Sequence, residues 1–157
     1  AYLWLPATDD RSAVRLGSNA SVSVCPDGEV SGVRGLAAST AVVWCSNGQV
    51  RVTTSDGRVW KNAGSIEGIR TVAAATEGDV ALAFAVTVAP GCNGVRVVKM
   101  VPTSSPSVQA CVEVSGVTSQ SALALAVLDK KGALAVNNQV FLSSDGLQTW
   151  TKVSTPS

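Results

Sequence analysis

The acidic residues are the first candidates for chemistry in this chain, because two carboxylates suffice for glycoside hydrolysis. Eleven Asp and Glu residues are present. Among them, Glu113 in the stretch ACVEVSG is the strongest candidate, since it shares a strand face with Cys111 and would then be partly buried. The same pattern also fits an outer-strand residue that faces water. A glycoside hydrolase is therefore the second alternative for the function.

The catalytic groups that are missing argue against an enzyme. Histidine is absent, which removes the commonest general base, the commonest zinc ligand and the usual partner of a catalytic Ser or Cys. The chain also lacks a Gly-rich phosphate loop and a G-x-S-x-G elbow. We therefore expect no enzymatic activity, no catalytic residue, no bound metal and no cofactor.

Four cysteines, Cys25, Cys45, Cys92 and Cys111, form two pairs whose members are about 20 residues apart. An even count without CxxC or His indicates disulfides rather than a zinc site. The simplest pairing is Cys25–Cys45 and Cys92–Cys111, each closing a loop worth about 3 kcal/mol. Four cysteines allow three pairings, and four buried free thiols are the cytosolic alternative. Disulfides would place the protein outside the cytoplasm, as a secreted, periplasmic or cell-surface protein.

The charge of the chain is nearly balanced, at +1 with 15% charged residues. This excludes a general electrostatic attraction to nucleic acid or to anionic lipid. No apolar run approaches the roughly 18 residues that span a bilayer. The opening AYLWLP is compatible with the end of an export or membrane segment in a longer precursor. A membrane would be reached only through such a segment, which is missing from this chain.

Apolar residues alternate with a period of two along much of the chain, which predicts β-strands. In VALAFAVTV, Val80 to Val88, the large residues point one way and the small residues the other. The stretch ALALAVL, Ala122 to Leu128, repeats this alternation. Both faces of these strands are apolar, and we expect further sheets on each side, as in a propeller blade. One short helix is predicted, from Thr8 to Gly17.

Asn-Gly and Asp-Gly pairs separate the strands and favour antiparallel hairpins. We predict an all-β, β-propeller-like fold of short antiparallel strands, with three to four small blades in a single domain over residues 1–157. A β-sandwich is the alternative. The blades would run from Leu36 to Gly64, Ile69 to Val114 and Val117 to Val153. Residues Val14 to Val33 would supply a partial fourth blade or a closing strand, and a homo-oligomer that completes the ring stays open.

An internal repeat links WCSNGQVRVTTSDGRVWKNAG with LAVNNQVFLSSDGLQTWTKVS, about 90 residues later. This spacing is close to twice the roughly 40–45 residues of a four-stranded blade. The stretch SSDGLQTW resembles the Asp-box, or BNR, repeat (Ser-x-Asp-x-Gly-x-Thr-Trp) of sialidases, sortilin-type receptors and photosystem assembly factors of the Ycf48 type. Ser143, Asp145, Thr149 and Trp150 match the repeat, whereas Gly146 comes one place early.

In the first copy Asp56 matches the same repeat, Gly57 again comes early and Trp60 arrives one residue too soon. In that family the Asp carboxylate accepts hydrogen bonds from the turn backbone, and the Trp packs into the blade. The resemblance therefore implies that these turn residues in both copies are structural, and that the box lies away from the binding face.

The resemblance does not extend to sialidase activity, because Tyr2 is the only tyrosine and no cluster of arginines is visible. We predict a non-catalytic extracytoplasmic module, a scaffold that presents loops to a protein partner. The first alternative is a small propeller lectin that binds carbohydrate. Two of the four Trp residues belong to the turn motif, so Trp4 and Trp44 are what remain to stack on sugars.

Overall fold

A computed structural model describes the backbone of residues 4–6, 12–15, 21–25, 27–102 and 104–153, and the side chains of these residues from Val24 onward. Within these ranges every regular element is a strand. None of the described residues belongs to a helix long and apolar enough to cross a membrane. The strands are β1 (Trp4–Pro6), β2 (Ser12–Arg15), β3 (Ser21–Ser23), β4 (Val30–Ala37), β5 (Thr40–Cys45), β6 (Gln49–Thr53), β7 (Lys61–Ser65), β8 (Ile69–Glu77), β9 (Val80–Thr87), β10 (Gly94–Met100), β11 (Ser107–Glu113), β12 (Leu123–Leu128), β13 (Lys131–Val136), β14 (Gln139–Ser143) and β15 (Thr151–Lys152).

Three of the sheets have four strands each, and consecutive strands are neighbours in every one: β4 to β7, β8 to β11 and β12 to β15. The pairs within them are antiparallel. A four-stranded antiparallel meander is the connectivity of a propeller blade. The predicted all-β, propeller-like fold is therefore confirmed. Strands β1 to β3 form a further, three-stranded sheet.

The second and third predicted blades coincide with the sheets β8–β11 and β12–β15. The first blade does not begin at Leu36, because β4 begins at Val30. Val30–Val33 therefore belong to this sheet, and their assignment to a partial blade over Val14–Val33 is wrong. The register of β4 against β5 shifts near both ends of β4. These shifts interrupt the period of two from which the boundary was predicted.

The short helix predicted from Thr8 to Gly17 is wrong for Ser12–Arg15, which form β2. The other residues of that stretch lie outside the described ranges. Strand β2 lies between β1 and β3 and pairs with both. Pairing on two sides satisfies backbone hydrogen-bonding groups that a helix would otherwise satisfy internally. The capping signals that predict a helix come from residues within this stretch. The pairing with β1 and β3 involves residues outside it and overrides those signals.

Strand β9 is buried on both faces from Leu82 to Thr87, as its alternation predicts. The small side chains of Ala83 and Ala85 are as inaccessible as the large side chain of Phe84 on the opposite face. Strand β9 is internal to its sheet, with β8 on one side and β10 on the other. The complete burial of Ala83 and Ala85 shows that its second apolar face is also covered, as the interleaved alanines require.

Strand β12 differs from β9, and the expected cover on both faces is wrong there. Leu123, Leu125 and Val127 are half-buried, whereas Ala124, Ala126 and Leu128 are exposed. Strand β12 is the edge of its sheet. The same large-small alternation therefore accompanies a covered face in an internal strand and an open face in an edge strand.

The chain divides into two compact units. Unit 1 comprises Ala1–Glu67 and Met100–Pro106, and unit 2 comprises Gly68–Lys99 and Ser107–Ser157. Unit 1 thus contains β1 to β7 together with the loop that follows β10. Unit 2 contains the sheets β8–β11 and β12–β15, apart from the last residue of β10.

Each unit has buried apolar residues of its own. In unit 1 they surround Cys25 and Cys45, and Trp60 packs against this cluster. In unit 2 the fully buried side chains come mainly from the internal strands, since those have a sheet neighbour on each side. These residues are Leu82, Val86, Val95, Val97, Leu134 and Val136, with Val72 in the edge strand β8 and Leu147 in a turn.

Candidate functional site

The turn between β14 and β15 is organised around the carboxylate of Asp145. Its Oδ1 accepts hydrogen bonds from Ser143 Oγ at 2.9 Å, Gln148 N at 3.2 Å and Thr149 N at 3.0 Å, and its Oδ2 accepts one from Thr149 Oγ1 at 2.5 Å. The Thr149 hydroxyl, followed by the Thr149 N–H, lowers the pKa of Asp145 to about 2. Each oxygen of the carboxylate thus accepts hydrogen bonds from within the turn, which is the structural role expected of a turn Asp.

The same turn places Leu147 and Trp150 against strand β13. Leu147 has a φ of 69° and is fully buried. Trp150 Nε1 donates a hydrogen bond to Leu147 O at 3.0 Å. A Cβ on Gly132 would lie 3.0 Å from Trp150 Cη2 and 3.1 Å from Leu147 Cγ. The absence of a side chain at Gly132 therefore makes room for both residues.

The turn between β6 and β7 has the same backbone shape. Asp56 and Gly57 have φ values of 62° and 84°, and Gly146 and Leu147 have values of 78° and 69°. Asp56 N donates to the carbonyl oxygen of Ser39 at 2.9 Å, in the hairpin between β4 and β5. Gly146 N donates in the same way to Lys130 O at 2.9 Å, in the hairpin between β12 and β13.

These equivalences place Ser55, and not Asp56, where the second turn has Asp145. Ser55 Oγ accepts a hydrogen bond from Val59 N at 2.9 Å, as Asp145 Oδ1 does from Thr149 N. Sequence reasoning missed Ser55 because it matched the Asp-Gly pairs of the two copies. The signal that finds it is the spacing of flanking residues: Gln49 and Gln139 are as far apart as Trp60 and Trp150.

The cysteines pair as the simplest sequence reading predicts. Cys25 bonds Cys45 and Cys92 bonds Cys111, with Cα–Cα distances of 5.8 and 5.9 Å. The first disulfide is buried in unit 1. The second lies in unit 2, with Cys111 exposed on β11 and Cys92 half-buried in the loop before β10. It therefore ties the outermost strand of its sheet to a neighbouring loop.

A groove in unit 2 runs beside strand β11. Its volume is about 670 Å³, within the range of pockets that hold small ligands. One wall is the end of β11 with the two residues after it, and the other consists of β14, β15 and the turn between them. Thr149 and Trp150 of the box therefore line this groove, whereas the resemblance implies a position away from the binding face. Among the described residues, Glu113 and Lys152 are the charged ones that line it, and their charges are opposite. The lining residues are Ala110, Cys111, Val112, Glu113, Val114, Ser115, Gln139, Phe141, Gln148, Thr149, Trp150 and Lys152.

Glu113 lies in this groove as an exposed residue of the outermost strand. No second carboxylate lines the groove among the described residues. Glycoside hydrolysis requires two carboxyl groups on either side of the scissile bond. The structure thus places Glu113 where it can contact a ligand, without the partner that a glycosidase needs.

The described Trp side chains pack against the protein instead of forming an open platform. A Cβ on Gly32 would lie 2.1 Å from Trp44 Cζ2, so the Trp44 indole covers the backbone of β4. Trp60 packs on the core cluster of unit 1. Trp150 covers Gly132. Trp4 lies in β1, and its side chain is not among the described ones.

Comparisons with known proteins give structural likeness only. No family model matches the chain, and no curated protein matches it. Among solved structures, one described as Ycf48 bound to D1 peptide is 16% identical over 96% of this chain, with a TM-score of 0.41. Ycf48 from Cyanidioschyzon merolae is 17% identical over 96% of this chain, with a TM-score of 0.39. The chain spans 63% of the first structure's length and 68% of the second's.

Proposed function

We propose that this chain is a non-catalytic, extracytoplasmic binding module that holds a protein partner in the groove beside β11. The observation that carries the proposal is an open sheet edge that a disulfide holds in place. Strand β11 is the last strand of its sheet, and Cys111 within it is bonded to Cys92. A binding surface that is already ordered loses less conformational entropy when its partner arrives.

Two disulfides are compatible with an oxidising compartment, and this supports a location outside the cytoplasm. The two disulfides also restrict the motion of the chain, which suits a rigid binding module. The composition of the groove favours a protein ligand, because it combines backbone, amide groups and apolar surface with one charge of each sign. A polyanionic ligand would instead require a cluster of cations.

A capture experiment tests this function. Immobilised wild-type chain is incubated with an extracytoplasmic extract of its source and compared with the double variant Gln148→Arg/Lys152→Glu, whose changes lie on the exposed groove wall. Lys61→Glu on β7 is the matched control, since Lys61 is an exposed residue on the outermost strand of another sheet. We expect at least one protein that wild type and control retain and the double variant loses.

The two alternatives have their own readouts. Dose-dependent hits on a glycan array would support the lectin and contradict the proposal. Hydrolysis of a chromogenic glycoside that disappears in Glu113→Gln would support the hydrolase and contradict it equally. Retention of no protein above the level of uncoated beads would also contradict it.

A further inference from the structure

Among the edge strands of the described four-stranded sheets, β4 and β8 are the longest but contain Arg34 and Arg70, and β12 has six residues. Strand β11 is the longest edge strand without such protecting residues. It has seven residues, Ser107–Glu113, and contains no Lys, Arg or Pro, which are the usual devices against pairing at an edge. The comparable strand β7 begins with Lys61, and Pro106 lies against Gly64 near its end. Strand β15 has only two residues.

The direction of the hydrogen bonds shows which groups of β11 face outward. Val114 N donates to Asn93 O at 3.0 Å, so the first pair beyond the end of β11 is hydrogen-bonded. A Cβ on Gly94 would lie 2.0 Å from Val112 O, which places that carbonyl on the side of β10. Because such pairs alternate along an antiparallel ladder, the N–H and C=O groups of Cys111 and Glu113 point away from β10.

We propose that an extended peptide segment of a protein partner adds to β11 as a fifth strand, pairing with the outward backbone groups of Cys111 and Glu113. This inference rests on the proposed protein-binding function. Outward N–H and C=O groups at alternate residues match the backbone of another extended strand, which is the principle of recognition by strand addition. The partner is thus recognised first by its backbone.

The residues that line the groove indicate which side chains the bound peptide should carry. Glu113 and Lys152 provide one charge of each sign, so we expect one basic and one acidic side chain among otherwise uncharged residues. Phe141 and Trp150 line the same groove and suit a β-branched or aromatic residue. Gln148, Trp150 and Lys152 line the opposite wall of the groove, so a peptide paired with β11 can also contact their side chains.

The experiment starts from a display library of random peptides of about seven residues, the length of β11. The library is selected on the immobilised full-length chain, and the selected peptide is synthesised. Amide hydrogen exchange is then measured with and without it. We expect exchange at Cys111 and Glu113 to slow at least about tenfold, because their N–H groups acquire acceptors.

Substitutions of Glu113 distinguish binding through the backbone of β11 from binding through its side chains. Glu113→Pro removes an outward N–H without removing a bond to β10, and we expect it to weaken peptide binding at least about tenfold. Glu113→Ala keeps the N–H and should weaken it by no more than about threefold. Since Glu113→Pro can also affect folding, two peptides N-methylated at alternate sets of residues provide a second test. One set should abolish binding and the other should not.

Three results would overturn the inference. A selected peptide that binds without slowing exchange at Cys111 and Glu113 would exclude strand addition, while the proposed binding function would stand. Self-association of the free chain that Glu113→Pro abolishes would make a second copy the occupant of the edge. A library without binders would exclude the peptide site, and only the additional absence of any captured partner would remove the proposed function as well.

Discussion

The side chain of Leu147 packs over Gly132 in a backbone conformation that leucine rarely adopts. Its φ is 69°, and its Cγ lies 3.1 Å from the position that a Cβ on Gly132 would take. A left-handed conformation costs an L-residue about 1–2 kcal/mol. Complete burial of the side chain offsets this cost, since burying a leucine contributes about 1.5–3 kcal/mol.

This relationship predicts that glycine at position 147 is at least as stable as alanine, which is the reverse of their usual order in a regular strand. Leu147→Ala should lower the free energy of unfolding by about 2–4 kcal/mol. Leu147→Gly loses the same packing and removes the backbone strain, so it should be at least as stable as Leu147→Ala. Urea unfolding measures both. At Leu134, which is equally buried but lies in the regular strand β13, glycine should be less stable than alanine by about 0.5–1 kcal/mol.

The hydrogen bonds that Asp145 accepts predict that the free energy of unfolding decreases at acidic pH. Its pKa is lowered to about 2 in the folded chain, against about 3.9 for an unfolded Asp. A group of this kind stabilises the fold above its unfolded pKa, and the contribution disappears as the pH falls from about 4 to about 2.

We therefore expect the urea midpoint of wild type to fall more steeply over this range than that of Asp145→Asn. Thr149→Val removes the largest cause of the lowered pKa and should give an intermediate slope. Parallel midpoints for wild type and Asp145→Asn would contradict the assignment.

The two disulfides should differ in their rate of reduction in the folded protein. Cys25 and Cys45 are 0% and 4% exposed, whereas Cys111 is exposed on β11. Attack of a thiolate on a disulfide requires access to a sulfur atom. Limited dithiothreitol followed by alkylation and mass spectrometry should label Cys92 and Cys111 first. Simultaneous labelling of all four cysteines would show that reduction requires global unfolding.

Gly94 should tolerate no side chain, because a Cβ there would lie 2.0 Å from Val112 O and 2.5 Å from Val114 N. Gly94→Ala should separate β10 from β11, lower the stability by about 3 kcal/mol and weaken binding at the β11 edge. Gly78→Ala is the control, since Gly78 also has a positive φ but no atom within 4 Å of its Cβ position. Its cost should be about 1 kcal/mol, and equal losses in unfolding experiments would exclude the steric explanation.

The fold was predictable from the sequence where the signal is local. The alternation in β9 and the hairpin dipeptides predict short antiparallel strands, and cysteine spacing predicts the disulfides. The extent of β4 and the strand character of β2 were not predictable, because they depend on pairing with other strands. Local capping signals and the period of two carry no information about such partners.

The candidate site was less predictable than the fold. The sequence identifies Asp145 and Trp150 as turn residues, and their contacts show what that turn is built from. It does not show that the β14–β15 turn forms a groove with β11, since residues about 35 positions apart meet there only through the folding of two sheets. Ser55 was obscured because an adjacent Asp-Gly pair mimics the motif one residue out of register.

The exposed face of β12 is a potential site of aggregation between chains. Leu128 is 75% exposed, and LALAVL is an uncharged segment of six residues without Pro or Gly, a composition typical of amyloid-forming segments. Asp129, Lys130 and Lys131 follow it. Cationic side chains at the end of such a segment act as gatekeepers against chain-to-chain stacking. We therefore expect the charges of Asp129, Lys130 and Lys131 to oppose association of chains through β12.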